Sequence, residues 1–410
     1  MDLVFKNIKK LCQIRTTDIA MVKGADMATL PSLDNAYICI REGRIHSFGS
    51  MNNYPADIPE SSTVRIIDAQ NKYLLPAFCD SHTHLVFAAW RETEFVDKIQ
   101  GLTYEQIAQK GGGILNSARR LQNTSEQELY ESALVRIEEI KKFGTGAVEI
   151  KSGYGLNTES ELKMLRVIKR LKETTSLTIK STFLGAHTYP EAFRNNHEGY
   201  IRELIDYMLP AINNEQLADY IDVFCDRGFF SVDETAKILE AASKYGLQPK
   251  IHANELDFSG GVQVGVRYQA RSVDHLECIG DDEMETLLHS NTMPTLLPST
   301  AFFLGLHYPP ARNMIQRGLP IALASDYNPG TSPGGRMSFI LSLACIQMKM
   351  TPEEALNAAT LNSAYAMGVE HELGSISIGK KANLILTKPL DNLSFIPYRY
   401  TNDFIDEVFI

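Results

Sequence analysis

The pair His82 and His84 is the part of the sequence whose residue types and spacing most directly suggest chemistry. It follows an apolar run at residues 74–78, which predicts a buried strand. Because side chains of an extended segment alternate between two faces, histidines two positions apart turn both imidazoles to the same side. The pattern therefore predicts half of a metal site at the end of a strand.

Other predicted strands supply candidates for the remaining ligands. The polar residues at or just after their ends are Lys151, His187, His252, His275 and Asp326. A lone histidine at a strand end is more often a structural residue, but repetition of the pattern favours a shared site. Catalytic zinc and iron sites mix nitrogen and oxygen donors and leave a position for water. The ligands that we expect in such a site are His82, His84, His252 and Asp326.

Glu255, three residues after His252, is the candidate general base. A catalytic ion lowers the pKa of bound water from about 15.7 toward 7, and a nearby carboxylate can then collect the proton. The alternative role for Glu255 is that of a helix N-terminal cap. We expect His275 to be a partner of the site or a proton donor rather than a ligand. The predicted catalytic residues are therefore Glu255, His275 and Asp326.

The middle of the chain, where short apolar runs alternate with helical periodicity, supplies the strands and helices that would hold these residues. Strands are predicted at residues 74–78, 147–150, 177–184, 220–224, 249–251, 272–274, 293–297 and 321–324. Helices are predicted at 124–143, 159–173 and 235–245. Eight such units over roughly 290 residues are typical of a (β/α)8 barrel, whose active site lies at the carboxyl ends of the strands. A doubly wound open sheet remains the alternative, since periodicity does not show closure.

Both ends of the chain have a different pattern, in which short alternating runs are separated by turn residues. It is visible at residues 37–40, 43–49 and 64–69, and again at 374–386. We therefore expect a small β-sandwich domain built jointly from residues 1–73 and 369–410, with the barrel at 74–368.

The composition is that of an ordinary globular chain, with 410 residues of which 44% are hydrophobic. A net charge of -10 without a Lys/Arg-rich block argues against nucleic acid as a partner. No apolar stretch approaches the roughly 20 residues that span a bilayer, and the first residues lack the apolar core of a signal peptide. The 6 cysteines are scattered without a CxxC pair, which predicts no disulfides. We expect a cytoplasmic protein without a membrane partner.

The pattern Pro76-x-x-x-Asp80-x-His82-x-His84 resembles the mark of the amidohydrolase superfamily. The likeness implies a metal-dependent hydrolase with a (β/α)8 barrel and a small β-sandwich made from both termini. This chain carries Ala77 where those proteins commonly have glycine. The bridging lysine of binuclear members is not evident, which favours one divalent or trivalent ion, Zn2+ or Fe3+, per subunit. Lys151, at the end of the second predicted strand, could be such a bridging lysine, so a second ion remains an alternative.

Further blocks extend the likeness over nearly the whole chain, at residues 149–156, 182–187, 224–226, 252–255 and 324–331. They are similar to the superfamily members that hydrolyse 4-imidazolone-5-propanoate to N-formimidoyl-L-glutamate in histidine degradation. The resemblance also implies a homodimer. The substrate contacts that it implies are Arg91, Tyr154, His187, Glu255, Asn328, Gly330 and Thr331.

The chemistry of the implied contact residues, Arg91 first among them, matches the groups of the substrate. A planar guanidinium can bind the propanoate carboxylate through two parallel hydrogen bonds. The rings of Tyr154 and His187 suit a flat heterocycle, and the glycine-containing loop at 328–331 can bring backbone N–H groups close to a ligand. The alternative for Arg91 is a surface ion pair with Glu92 or Glu94.

Two other functions remain open at this point. A deaminase or cyclic-amide hydrolase of the same superfamily would share the ion and the barrel, although an uncharged nucleobase gives no reason for Arg91. A non-catalytic binding protein would have no reason to carry four ligands together with Glu255. The G-x-S-x-G match at 330–334 lacks the strand-to-helix turn of a serine nucleophile. The glycines at 111–113 favour a bend or a moving lid.

Overall fold

Fifteen strands run through the described residues, which are 2–15, 19–55, 64–102, 106 and 112–410 of the computed structural model. Numbered in chain order, they are β1 (Asp2–Cys12), β2 (Ser32–Arg41), β3 (Arg44–Ser50), β4 (Val64–Asp68), β5 (Tyr73–Pro76), β6 (Phe78–Thr83), β7 (Thr145–Lys151), β8 (Thr178–Ala186), β9 (Tyr220–Cys225), β10 (Gln248–Ala253), β11 (Ser272–His275), β12 (Met293–Leu296), β13 (Ala322–Leu323), β14 (Leu384–Thr387) and β15 (Ile405–Phe409).

The α-helices are Glu92–Ile99, Ile114–Gln122, Glu126–Lys142, Thr158–Thr174, His197–Arg202, Leu209–Glu215, Val232–Ser243, Gly261–Arg267, Asp281–Leu288, Pro298–Leu304, Ala311–Gln316, Met337–Ile346, Pro352–Asn357, Ser363–Ala366 and Phe395–Tyr398. Shorter 3-10 turns lie at Gly24–Ala28, Met51–Asn53 and Glu191–Phe193, and π-helical turns at Glu203–Met208 and Ala358–Asn362. Within the described ranges, no helix is long and apolar enough to cross a membrane.

Local sequence explains where several helices begin. Ser125 accepts a hydrogen bond from the backbone N–H of Glu128, whose side chain accepts in return from the N–H of Ser125. The same reciprocal cap starts the helices after Ser231 and Thr351. Such a cap satisfies backbone donors that have no partner inside the helix. It sets the start of the predicted helix at 124–143, which the structure has at Glu126–Lys142.

Strands β6 to β13 form one parallel sheet in which each strand pairs with the next. The sheet closes between its first and last strands through a parallel bridge from Thr83 to Tyr327. There the N–H of His84 donates to the Tyr327 carbonyl at 2.9 Å, and the N–H of Asp326 donates to the His82 carbonyl at 3.0 Å. The closure confirms the (β/α)8 barrel over the open sheet. It also places three of the predicted ligands side by side.

Strands from the two ends of the chain form a second sheet, with the order β15-β14-β5-β1-β2-β3 and with β4 beside β1. Phe5 and Ile8 of β1 belong to a separate apolar core that includes residues from both ends. The joint sheet confirms that both termini build one structure beside the barrel. The boundaries at 1–73, 74–368 and 369–410 remain a prediction.

The predicted first barrel strand at 74–78 is wrong, because the structure divides this apolar run between the two sheets. Strand β5 pairs with β1 and β14, whereas β6 pairs with β7. The change occurs over one residue: Ala77 donates its N–H to the Asn383 carbonyl, and Phe78 donates its N–H to the Gly144 carbonyl, both at 2.9 Å. An apolar run predicts burial but not the sheet in which a residue is buried. The other predicted barrel strands overlap β7 to β13, and the glycine bend at 111–113 begins outside the described residues.

Candidate active site

Three histidines meet at the carboxyl ends of β6 and β10. One ring nitrogen each of His82, His84 and His252 lies within 4.8 Å of the others. The Nε2 atoms of His84 and His252 are 3.4 Å apart, and Nε2 of His82 is buried without a hydrogen-bond partner among the described residues. Buried polar atoms are seldom left unpaired, so converging ring nitrogens of this kind suit a metal ion.

Asp326 adds an oxygen donor to the histidine cluster. Its Oδ1 lies 3.5 Å from Nε2 of His82 and 3.6 Å from Nε2 of His84. Its other oxygen, Oδ2, accepts a hydrogen bond of 2.6 Å from the Thr300 hydroxyl, which fixes the carboxylate. The backbone of Asp326 has φ of 52°, in the left-handed region that non-glycine residues adopt chiefly at functional sites and turns. All four predicted ligands are therefore brought together, and their donor set fits one ion.

Two buried aspartates that the sequence analysis missed orient the histidines. Oδ2 of Asp274 accepts from Nδ1 of His82 at 2.7 Å, and Oδ2 of Asp222 lies 3.0 Å from Nδ1 of His252. A carboxylate on Nδ1 fixes the imidazole and leaves Nε2 free to bind metal. The available signal was a charged residue in the middle of β9, among apolar neighbours, and another in β11 directly before His275.

Lys151 does not take the position of a bridging metal ligand. It is fully buried, and its ammonium lies 2.7 Å from Oε1 of Glu149 and 2.7 Å from Oδ2 of Asp222. Burial lowers the pKa of Lys151, but the surrounding carboxylates outweigh burial and hold the pKa above its ordinary value. Lys151 is therefore a cation committed to carboxylate partners beside the histidines.

Burial keeps two of the proposed ligands, His82 and His84, neutral. It holds the pKa of His82 well below its ordinary value, and the charge of Lys151 acts in the same direction. Burial, followed by His187 and His252, does the same for the pKa of His84. The neutral imidazole is the form that binds a metal ion. At neutral pH these two side chains are thus ready to bind without first losing a proton.

Glu255 and His275 form the acid–base part of the site. Oε2 of Glu255 lies 3.6 Å from Nε2 of His275, whose Nδ1 lies 3.7 Å from Oε2 of Glu277. Burial raises the pKa of Glu255 to about 7. Burial alone would lower the pKa of His275, but Glu255 and Glu277 raise it to about 10. The pair therefore holds a carboxyl group that can exchange a proton near neutral pH beside a cationic imidazole.

The capping role considered for Glu255 is wrong, since the next helix begins at Gly261 with Gly260 as its cap. Glu277 is a further site residue that the sequence analysis missed. It is buried, and both of its carboxylate oxygens lack a hydrogen-bond partner among the described residues. Its position two residues after His275, in the segment that follows β11, was the signal that could have found it.

Arg91, Tyr154 and His187 lie in a chain of contacts that leads to the histidine cluster. The rings of His187 and His84 are stacked, with centroids 5.2 Å apart and an interplanar angle of 13°. The Tyr154 ring is 5.7 Å from that of His84, and the Arg91 guanidinium is 5.6 Å from the Tyr154 ring. The three predicted substrate residues are therefore contiguous with the predicted metal ligands.

The guanidinium of Arg91 has a free end. Its Nε donates to the Ser117 hydroxyl at 2.9 Å, whereas its buried Nη2 has no partner among the described residues. The alternative ion pair is wrong for Glu94, whose Oε1 instead accepts from the Gly113 N–H at 3.1 Å. No salt bridge to Glu92 is found in the described part of the chain. Arg91 is thus anchored at one edge and open at the other.

The loop at 328–331 is closed on itself. Oδ1 of Asn328 accepts from the backbone N–H groups of Gly330 and Thr331, both at 2.8 Å, and Nδ2 of Asn328 donates to the Asp326 carbonyl at 2.7 Å. These two N–H groups are therefore already bonded inside the loop. A side chain at Gly330 would contact the Arg91 guanidinium, with its Cβ 3.1 Å from Cζ. Substrate contacts of Asn328, Gly330 and Thr331 remain a prediction, and the loop shapes the space around Arg91.

Comparison with known proteins agrees with this geometry. A model of the amidohydrolase family matches residues 73–408. Guanine deaminase of E. coli has a TM-score of 0.72 at 15% identity, with 98% of this chain and 92% of that chain covered. A triazine hydrolase variant has a TM-score of 0.75 at 14% identity, with 100% and 93% covered. These two likenesses concern the fold alone. The chain belongs to the amidohydrolase family, whose members are metal-dependent hydrolases.

Relatives with higher sequence identity show to which group of amidohydrolases the chain belongs. The imidazolonepropionase of Flavobacterium johnsoniae is 54% identical over 410 residues, which are 100% of this chain and 99% of that protein. The imidazolonepropionase of Thermoanaerobacter pseudethanolicus is 39% identical over 409 residues, with 99% and 96% covered. Within the amidohydrolases, the chain therefore belongs to the imidazolonepropionase family.

Proposed function

We propose that the chain hydrolyses the ring C–N bond of 4-imidazolone-5-propanoate and releases N-formimidoyl-L-glutamate, a step of histidine degradation. The observation that carries the proposal is the open guanidinium of Arg91 beside Tyr154, whose ring lies next to that of His84. This arrangement offers a carboxylate receptor and a hydrolytic centre within one continuous cluster of side chains. A propanoate arm on a flat ring matches both parts.

His82, His84, His252 and Asp326 would hold one Zn2+ or Fe3+ ion. When bound, such an ion acidifies a water ligand and polarises a carbonyl oxygen. The carboxylates on Nδ1 of His82 and His252 support this assignment, because they leave the Nε2 atoms as the metal-facing donors. The same ligand set serves zinc and iron, so the choice between them is left to metal analysis.

Glu255 takes a proton from the attacking water, whose oxygen adds to the ring carbonyl carbon. Its pKa of about 7 suits a group that accepts a proton and then gives it back near neutral pH. His275, a cation beside Glu255, offers positive charge to the carbonyl oxygen as it becomes negative. When the C–N bond breaks, the proton held by Glu255 passes to the leaving ring nitrogen. One water is consumed, and a carboxylate and an open formimidoyl group result.

Arg91 binds the propanoate carboxylate in this proposal, while the rings of Tyr154 and His187 hold the heterocycle. Binding through remote groups of this kind orients the reacting carbonyl and contributes to the rate. A deaminase acting on an uncharged base would gain nothing from an open guanidinium. A preference for substrates that carry a carboxylate therefore distinguishes hydrolysis of the imidazolone from deamination of an uncharged base.

The test is to incubate the metal-loaded protein with 4-imidazolone-5-propanoate and follow N-formimidoyl-L-glutamate by NMR. A substrate with the carboxylate converted to the amide is the matched control. We expect product from the acid, much slower turnover of the amide, and turnover of the acid slower by roughly 10²- to 10⁴-fold in the Glu255→Gln variant. Ammonia release from guanine or a triazine, without ring opening of the acid, would contradict the proposal.

We further propose that the enzyme acts in the cytoplasm as a homodimer on this small carboxylate substrate, without nucleic acid or membrane. Sedimentation of the purified chain tests the dimer. A monomer that retains full activity would contradict it.

A further inference from the structure

A group of charged side chains lies fully buried next to the histidine cluster. Its members are Glu149, Lys151, Asp222, Lys250 and Asp274. They come from the barrel strands β7, β9, β10 and β11. A buried charge is tolerated only when partners compensate for the loss of water, so each member depends on its neighbours. The mechanism above uses none of the five directly.

Lys151 occupies the point where this group meets the metal ligands. Its ammonium nitrogen is 2.7 Å from Oδ2 of Asp222 and 3.6 Å from Oδ2 of Asp274. The same two oxygen atoms hold Nδ1 of His252 and Nδ1 of His82. One ammonium therefore lies between the two carboxylates that orient two of the three histidine ligands.

We propose that Lys151 is a positioning residue of the metal site, acting on His82 and His252 through Asp274 and Asp222. Its fixed positive charge holds two neighbouring carboxylates in one arrangement, in which each keeps an imidazole turned with Nε2 toward the ion. Without that charge, two like-charged carboxylates in a dry interior repel each other and lose a common anchor. The inference rests on the metal site of the proposed function and assigns a role to a residue outside the ligand set.

Lys250 provides a matched control for Lys151. It is equally buried, and its ammonium pairs with Glu149, the third carboxylate of the group. It also donates to the Ser81 carbonyl at 3.3 Å. Among the described residues, its ammonium forms no ion pair with Asp222 or Asp274. Removing Lys250 thus removes the same charge from the same interior while leaving the anchor of the two aspartates in place.

The experiment measures the affinity of the full chain for Zn2+ alone, by competition with a chelator, in the parent protein and in Lys151→Met and Lys250→Met. Thermal unfolding of the metal-free proteins is recorded in parallel. Loss of an outer partner of a metal ligand typically weakens metal binding by roughly 10- to 100-fold. We expect a loss of that size in Lys151→Met and less than about threefold in Lys250→Met, with both variants less stable than the parent. Lys151→Gln, which keeps a hydrogen-bond donor without the charge, replaces Lys151→Met if the latter does not fold.

Two results would overturn the inference. One is Zn2+ binding by the Lys151 variant within threefold of the parent. The other is an equal loss of Zn2+ affinity in both variants, which would mean that removal of either buried charge weakens the site and that the contact of Lys151 with Asp222 and Asp274 is not the cause. If the parent binds Zn2+ and the Lys151 variant binds it equally well, only the role of Lys151 is excluded, and the proposed function is not contradicted. A parent that binds neither Zn2+ nor Fe3+ would contradict the proposed function as well.

Discussion

Replacing Arg91 by alanine removes the group that we assign to the substrate carboxylate. The structure limits what else the change can disturb. Nε of Arg91 is bonded to Ser117, while Nη2 is buried without a partner among the described residues. Among the described residues, no hydrogen bond, ion pair or ring contact joins this side chain to the metal ligands, and Tyr154 lies between it and His84. The variant should therefore lose carboxylate binding while keeping its metal.

The size of the effect follows from the partial burial of Arg91. Truncating one partner of a buried charge pair costs about 2 to 5 kcal/mol, and we take about 2 to 3.5 kcal/mol for this half-buried side chain. Since about 1.36 kcal/mol corresponds to a factor of ten, kcat/KM should fall roughly 30- to 400-fold. Most of the loss should appear in KM, because the guanidinium binds the carboxylate equally in the ground state and in the transition state. Arg91→Lys keeps the charge without the planar fork and should lose roughly tenfold.

The assay compares steady-state hydrolysis of the propanoate substrate and of its amide, together with metal content. The parent should favour the acid strongly, and Arg91→Ala should treat the two alike. Arg120→Ala, a change at an exposed position in the helix Ile114–Gln122, is the control and should leave both rates unchanged. An unchanged KM in Arg91→Ala, or an undiminished preference for the acid, would exclude Arg91 as the group that binds the carboxylate.

Three further changes test the other parts of the site. Asp326→Ala should lose metal and activity together, measured by metal analysis and product release, and full activity at normal metal content would exclude Asp326 as a ligand. Glu255→Gln should keep its metal and lose roughly 10²- to 10⁴-fold in kcat. Because Glu255 must be deprotonated to act as a base and its pKa is about 7, parent activity should rise with pH through that value, and the variant should lack this limb. Gly330→Ala should raise KM by displacing Arg91, whereas Gly334→Ala, where an added Cβ meets nothing within 4 Å, should not.

The convergence of the four proposed ligands could be predicted from sequence because it depends on strand ends. In a parallel barrel, all carboxyl ends face the same way, so His82, His84, His252 and Asp326 were expected to meet once the strands were recognised. The family likeness then indicated Arg91, Tyr154 and His187 as substrate contacts. Their position next to His84 could not be predicted from sequence spacing alone.

The residues that sequence analysis missed are those whose role depends on distant partners. In the sequence, Asp222 and Asp274 are single carboxylates within their strands, and only the fold brings His252 and His82 against them. Lys151 ends a strand as a ligand might, but its neighbours are carboxylates from other strands. The prediction of one strand at 74–78 was wrong for a related reason. The apolar pattern indicates that these residues are buried, but their hydrogen-bond partners determine the sheet to which each of them belongs.

Reconstitution of the metal-depleted protein determines whether hydrolysis depends on the proposed ion. Chelator-treated protein is titrated with Zn2+ or Fe3+, and formation of N-formimidoyl-L-glutamate from 4-imidazolone-5-propanoate is measured at each addition. We predict no turnover without metal and a linear rise in activity that ends at one equivalent per chain. Full activity in the metal-free protein, or no ring opening at any metal content, would contradict a single-ion hydrolase built on His82, His84, His252 and Asp326.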